Sequence, residues 1–109
     1  MRHDFRQAAG FQQDLLDLPM SVRKAAAQVL VDIVEGRLRG QLLEVHSATA
    51  DLSDCRKVYF DPNPQSRPRY RLVYLEASGK VTGISVVAVS VGQRAGLDAY
   101  TRAPKNLGR

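Results

Sequence analysis

Cysteine occurs once in this chain of 109 residues, at Cys55. No internal disulfide can form, and a lone thiol fits a reducing compartment. Histidine occurs twice, at His3 and His46. Neither stands with Cys55 or an acidic residue at chelating spacing, so no metal and no small-molecule cofactor is expected. His46 is expected in a loop, and Cys55 as a small buried apolar residue. There is no glycine-rich phosphate loop, no dinucleotide fingerprint and no Ser-His-Asp set. No run approaches the roughly 20 apolar residues of a membrane span. The opening segment MRHDFRQAAGFQQ lacks the apolar centre of a signal peptide. These absences predict a cytoplasmic protein with no membrane partner. Repeats and low-complexity tracts are missing too, and the length suits one domain, 1–109, with one modest core.

Acidic residues are scarce in one half only. Residues 1–55 carry six Lys/Arg against eight Asp/Glu, and residues 56–109 carry ten against three. The second half therefore presents a positive field that draws in phosphates, although charge alone does not choose between RNA, DNA and an acidic protein.

Hydrophobic period divides the chain in the same place. Residues 5–18 place Phe5, Ala8, Ala9, Leu15 and Leu16 at helical spacing, with Asp4 as N-cap and Gly10 as a weak point. From Met20 to Glu35, Val22, Ala25, Ala26, Val29, Leu30, Ile33 and Val34 form a cleaner stripe that Gly36 ends. Two helices so closely linked predict a hairpin. Residues 37–54 read as a weakly docked loop. Thereafter the period becomes two: 56–61, 69–76 and 81–91 read as strands, joined by the proline-rich PNPQSRP and by the turn 77–80. The predicted fold is α+β, an N-terminal helical hairpin packed on a small antiparallel sheet.

Alternation assigns faces. Val58, Phe60, Tyr70, Leu72 and Tyr74 fall on the side that helices would cover. Lys57, Tyr59, Arg69 and Arg71 fall on the opposite side, which is expected to be open. The third strand is apolar on both faces and suits the sheet centre. Gly92, Arg94 and Tyr100 follow it, placed to fold back toward the basic face. Taken singly, each of Lys57, Tyr59, Arg71, Arg94 and Tyr100 is more often a surface charge or a packing tyrosine than a catalytic group. Together on one face they suffice for one reaction. RNA brings its own nucleophile, the 2′-hydroxyl beside the scissile phosphate. Fixed cations and phenols can align it, accept its proton and stabilise the charge on phosphorus. Arg56, Arg69, Arg102 and Lys105 extend the positive field as candidate RNA contacts.

The ordered set LSDCRKVYF, YRLVYLEASGK and ISVVAVSVGQRAGLDAY, preceded by LDLPMSVRKAAAQVLVDIVEG, resembles the RelE/ParE toxins of bacterial type II toxin–antitoxin systems. The strand motif YRLVY, the V-x-V-G-x-R turn and a tyrosine six residues after that arginine carry the likeness. It implies one RelE/ParE-like toxin domain: a helical hairpin against an antiparallel sheet, neutralised by a cognate antitoxin. The RelE branch cleaves mRNA on the ribosome. By position, the resemblance makes Lys57 and Arg71 phosphate contacts, Arg94 the group that stabilises or protonates the leaving side, and Tyr100 a stacking and orienting residue. The alternatives are a ParE-like toxin that binds DNA gyrase without catalysis, and a weakened member that only binds RNA or a partner. The chain departs from the pattern in three places. Tyr59 stands where a second lysine is usual, the loop 61–68 is long, and Pro104 interrupts what is commonly a C-terminal helix.

Overall fold

The computed structural model describes residues 2–43, 52, 54–80, 82–94 and 98–108. His46 with half of the loop expected over 37–54 (residues 44–51 and 53), and Val81 at the start of the third predicted strand, lie outside them. In chain order the elements are β1 (Asp4–Gln7), α1 (Phe11–Leu16), α2 (Met20–Val34), β2 (Gln41–Leu42), β3 (Cys55–Phe60), β4 (Tyr70–Ser78), β5 (Ile84–Gln93) and α3 (Asp98–Leu107). Among the described residues the strands form one sheet in the order β1-β5-β4-β3-β2. No helix of the described residues is long and apolar enough to cross a membrane.

The three strands read from alternation are present, and β3-β4-β5 run antiparallel as expected. The N-terminus differs. Residues 4–7 form a strand parallel to β5, with Phe5 opposite Val86, so the predicted helix 5–18 shrinks to the six residues of α1. Gly10 explains the break. Its φ of 90° is the left-handed conformation that glycine adopts freely and that a helix interior excludes. Asp4 is no N-cap: its carboxylate accepts the Lys80 backbone N–H at 2.8 Å. The first arm of the expected helical hairpin is thereby reduced to a short helix whose packing is chiefly on β5. The sheet is mixed rather than purely antiparallel, and β5 is an interior strand between β1 and β4.

Helices cover both faces. On one, Phe11 of α1 and Val22, Ala26, Leu30 and Ile33 of α2 pack on Phe60, Leu72, Tyr74, Val86, Ala88 and Val91. On the other, Ala99, Tyr100 and Ala103 of α3 pack on Cys55, Val73 and Val89. The second face was expected to be open, and α3 is what closes it. Pro104 does not end that helix; it lies within α3. A proline there removes the backbone hydrogen bond to the Tyr100 carbonyl.

One irregularity decides where the end of β5 points. Val73 pairs with Ser90 but Tyr74 pairs with Ala88, so Val89 is an extra residue, a β-bulge. Ile84, Val86 and Ala88 face α2. After the bulge the parity inverts: Val91 returns to that core, and Ser90 faces α3, donating to the Ala99 carbonyl at 2.7 Å. Gly92 follows the parity of Ser90, and so does the residue after the strand, Arg94. An unbroken alternation would send Arg94 to the α2 side with Val86 and Ala88.

Candidate active site

Lys57 and Tyr59 lie two residues apart on β3 and share the α3 face of the sheet. Arg71 on β4 is directly opposite Tyr59, and Gly92 on β5 is opposite Arg71. Because Gly92 has no side chain, the space over Arg71 is left to α3, which lowers Tyr100 into it. The Arg71 guanidinium carbon lies 3.8 Å from the centre of the Tyr100 ring and 5.2 Å from that of Tyr59. The Arg94 guanidinium sits 4.0 Å from the Tyr59 ring centre, and the Lys57 ammonium 5.2 Å. Three cations thus surround one phenol, and a second phenol closes the group.

Arg71 was expected to be exposed. It is 6% exposed, and its Nε and Nη1 are buried without a hydrogen-bond partner. Stacking on two rings offsets part of the cost of burying the charge. The two unsatisfied donors remain expensive, since a buried guanidinium is normally paired. Among the described residues no carboxylate forms an ion pair with Lys57, Arg71 or Arg94.

The two phenols sit in different fields. The Lys57 ammonium beside the Tyr59 hydroxyl, helped by Arg71 and opposed by burial, lowers the Tyr59 pKa to about 8. Burial raises that of Tyr100, with Tyr59 adding to the effect and Arg71 and Lys57 opposing it. Lys57 in turn is raised, chiefly by Tyr59. Tyr59 is thus the more acidic of the two phenols, while Tyr100 stays protonated at neutral pH and able to donate a hydrogen bond.

The helix that carries Tyr100 is fastened to α1. Arg102 Nη1 donates to Asp14 Oδ1 at 2.8 Å and to Asp17 Oδ2 at 3.1 Å. Asn106 Nδ2 is 2.7 Å from both Asp14 Oδ2 and the Val89 carbonyl oxygen. Asn106 also packs so close to Gly10 that a Cβ there would lie 2.3 Å from its Oδ1. Of the candidate RNA contacts, then, Arg102 has acidic partners inside the protein. Arg69 is ion-paired with Asp61 at 2.8 Å, and Arg56 with Glu76 at 3.3 Å. Arg56 also donates to the Gly40 carbonyl and lies opposite Tyr74, on the α2 side of β3. Lys105 is exposed on α3. Lys57, Tyr59, Arg71, Arg94 and Tyr100 come together; Arg56 and Arg102 stand apart from them. His3 bonds to the Thr82 hydroxyl, far from the group, and Cys55 is fully buried.

Sequence reasoning passed over Asp14, although a signal was there. Phe11, Asp14 and Leu18 share one helical face, so Asp14 is a carboxylate at a core position and requires a partner. Gly92 stands out as the glycine of the V-x-V-G-x-R turn, whereas the bulge at Val89 left no comparable sign.

The fold has counterparts among solved structures. The toxin RelE of E. coli, in the free state and with two arginines replaced by alanine, matches with a TM-score of 0.65 over 98% of this chain and 99% of that one, at 23% identity. The fold is that of RelE. The isolated E. coli RelE toxin matches over 96% of this chain and 98% of its own, at a TM-score of 0.60 and 22% identity. The toxin–antitoxin complex RelBE2 of Mycobacterium tuberculosis contributes a chain with a TM-score of 0.61 and 23% identity, covering 87% of this chain and 94% of that one. No protein-family model matches the chain, and no curated protein matches it by sequence.

Proposed function

We propose that the protein is a ribosome-dependent endoribonuclease, the toxin of a toxin–antitoxin pair, that cuts mRNA by attack of the 2′-hydroxyl on the adjacent phosphate. The observation that carries the reading is the buried Arg71, held between two phenols with two donors unused. A guanidinium kept desolvated and unpaired is preorganised for an anion that arrives during function, and a phosphoryl group accepts such a fork. The RelE fold supports the same reading, and RelBE2, a toxin–antitoxin complex, motivates the antitoxin partner.

In this mechanism the Tyr59 phenolate takes the proton from the 2′-hydroxyl. With a pKa of about 8, roughly a tenth of Tyr59 is phenolate at pH 7. The 2′-oxygen forms a bond to phosphorus as the bond to the 5′-oxygen breaks, and the departing 5′-oxygen takes a proton from solvent water, leaving a 2′,3′-cyclic phosphate and a 5′-hydroxyl. Arg71 and Lys57 stabilise the charge on the phosphoryl oxygens, and Arg94 stabilises the leaving oxygen. Tyr100 holds the Arg71 plane and offers its hydroxyl and ring edge to the substrate. The test is a cell-free translation reaction with added protein, followed by primer extension. New 5′ ends within codons are expected, and intact mRNA with inhibited DNA supercoiling would move the protein to the gyrase-binding class. That class has no use for a buried unpaired guanidinium.

A further inference from the structure

The long connection between β3 and β4 builds a wall beside the site. Asp61 Oδ1 accepts the Asn63 backbone N–H at 3.0 Å, and Asn63 Oδ1 accepts that of Gln65 at 3.0 Å. The Asp61 carboxylate also closes the loop, accepting the Arg69 backbone N–H at 3.1 Å and the Arg69 guanidinium at 2.8 and 3.0 Å. Arg94 is bound to this wall through its backbone N–H, to the Arg69 carbonyl, and through Nη1, to the Pro68 carbonyl, both at 2.9 Å.

Between wall and sheet opens a cleft of about 640 Å³. Four arginines line it, Arg67, Arg69, Arg71 and Arg94, together with Pro68, Tyr70 and Gln93, and among the described residues no carboxylate does. Each arginine contributes differently. Arg71 is almost wholly covered, and its unpartnered Nε and Nη1 lie beneath the surface rather than on it. Arg94 is held in place by backbone carbonyls, which leave its charge uncancelled. Arg69 is charge-paired, but the two-point contact with Asp61 fixes the plane of its guanidinium, whose carbon lies over the Tyr70 ring, 5.7 Å from the ring centre. Arg67 is exposed and, among the described residues, makes no hydrogen bond or ion pair.

We propose that this cleft is a second phosphate subsite, which takes the nucleotide next to the scissile phosphate of a single-stranded RNA, with Arg67 on the phosphate and the Arg69 plane under the base. The inference rests on the proposed reading of the Arg71 site as a phosphate site and extends it by one nucleotide. Bases of single-stranded RNA stack on fixed guanidinium planes, and a free arginine beside such a plane suits the phosphate that follows. An acidic peptide would find the Arg69 charge already neutralised and would have no use for the plane.

The experiment measures binding of the full chain to a 2′-O-methyl hexanucleotide, which cannot be cleaved, across a salt series. A dinucleoside monophosphate, which has only the central phosphate, is measured beside it. Arg67→Ala is expected to weaken hexanucleotide binding severalfold at low salt and to flatten the log–log salt slope by about 0.7, the value for one single-strand phosphate contact. Dinucleotide binding should not change, and Arg67→Lys should retain the slope. Lys24→Ala, which removes an exposed charge from α2, serves as control and should leave both slopes as they are. Equal slopes for Arg67→Ala and the unaltered chain overturn the subsite, as does a wild-type chain that fails to bind the hexanucleotide. So does an oligoglutamate of equal charge that binds as tightly and is as sensitive to Arg67→Ala. If mRNA stays intact in the translation assay while the slope still falls, the nuclease reading fails and the subsite stands. Cleaved mRNA with an unchanged slope has the opposite meaning.

Discussion

Two arginines, Arg102 on α3 and Arg71 beneath it, meet opposite circumstances. Where α3 touches α1, Arg102 is met by Asp14 and Asp17, and Asn106 completes the bonding of Asp14. Where α3 lies over the sheet, the more deeply buried Arg71 is met by two rings and, among the described residues, by no acid. The phenols repeat the contrast. Tyr74, on the α2 side, accepts the Gly40 N–H at 2.8 Å, and burial raises its pKa. Tyr59, on the α3 side, is pulled down by Lys57 and Arg71. Asp14, Arg102 and Tyr74 are satisfied within the fold. Arg71 is left short of partners, which costs stability and, in the proposed function, reserves it for a phosphate.

The comparison breaks most visibly if Arg71 is removed. Arg71→Met should slow cleavage about a hundredfold or more, near 3 kcal/mol of transition-state stabilisation. It should also raise the melting temperature by a few degrees, because replacing an unpaired buried charge with an apolar chain of similar length commonly stabilises. Kinetics and a thermal melt on one variant check both signs. A variant that is slower and less stable would make Arg71 a structural residue.

Tyr59→Phe should cost nearly as much in cleavage, and Tyr59→Lys should restore part of it. Single-turnover rates of the unaltered protein should climb with pH and level off near 8, and Tyr59→Phe should abolish that rise. Stability follows the same titration. The folded pKa, about 8, lies below the unfolded value near 10. The contribution of Tyr59 is therefore fully present above about 10 and is lost as pH falls through about 8. Melts between pH 8 and 10, with and without the Phe substitution, check it. Unchanged cleavage by Tyr59→Phe would leave the ring as a stacking surface only.

The paired arginine should behave in reverse. Arg102→Met leaves Asp14 buried without its cation and should destabilise by about 2 kcal/mol, read by urea unfolding. Its effect on cleavage should come through a loosened Tyr100 and so be smaller than that of Arg71→Met. Tyr74→Phe should have the smallest effect, about 1 kcal/mol of stability for one lost hydrogen bond, with cleavage unchanged.

These regions differed in legibility for physical reasons. Alternation in RKVYF and YRLVY was enough to place Lys57, Tyr59 and Arg71 on one face, since a strand's period is local. The stripe in α2 was local as well. The strand β1 was not, because four residues with no pattern become a strand only by pairing with Ser85–Ala88, some eighty positions on. The burial of Arg71 was invisible for a related reason: alternation gives a side chain's direction but not what will cover it, and the cover is α3. The bulge at Val89 explains how Arg94 reaches the site although a regular strand would turn it away.

The central claim is that the unpaired cation between the two phenols meets the scissile phosphate. Single-turnover cleavage on ribosomes programmed with a defined mRNA, comparing the unaltered protein with Arg71→Met at matched ribosome occupancy, tests it most directly. The account predicts a cut leaving a 2′,3′-cyclic phosphate and a 5′-hydroxyl, slowed about a hundredfold by the substitution with ribosome binding retained. Cleavage by Arg71→Met at the unaltered rate would contradict it.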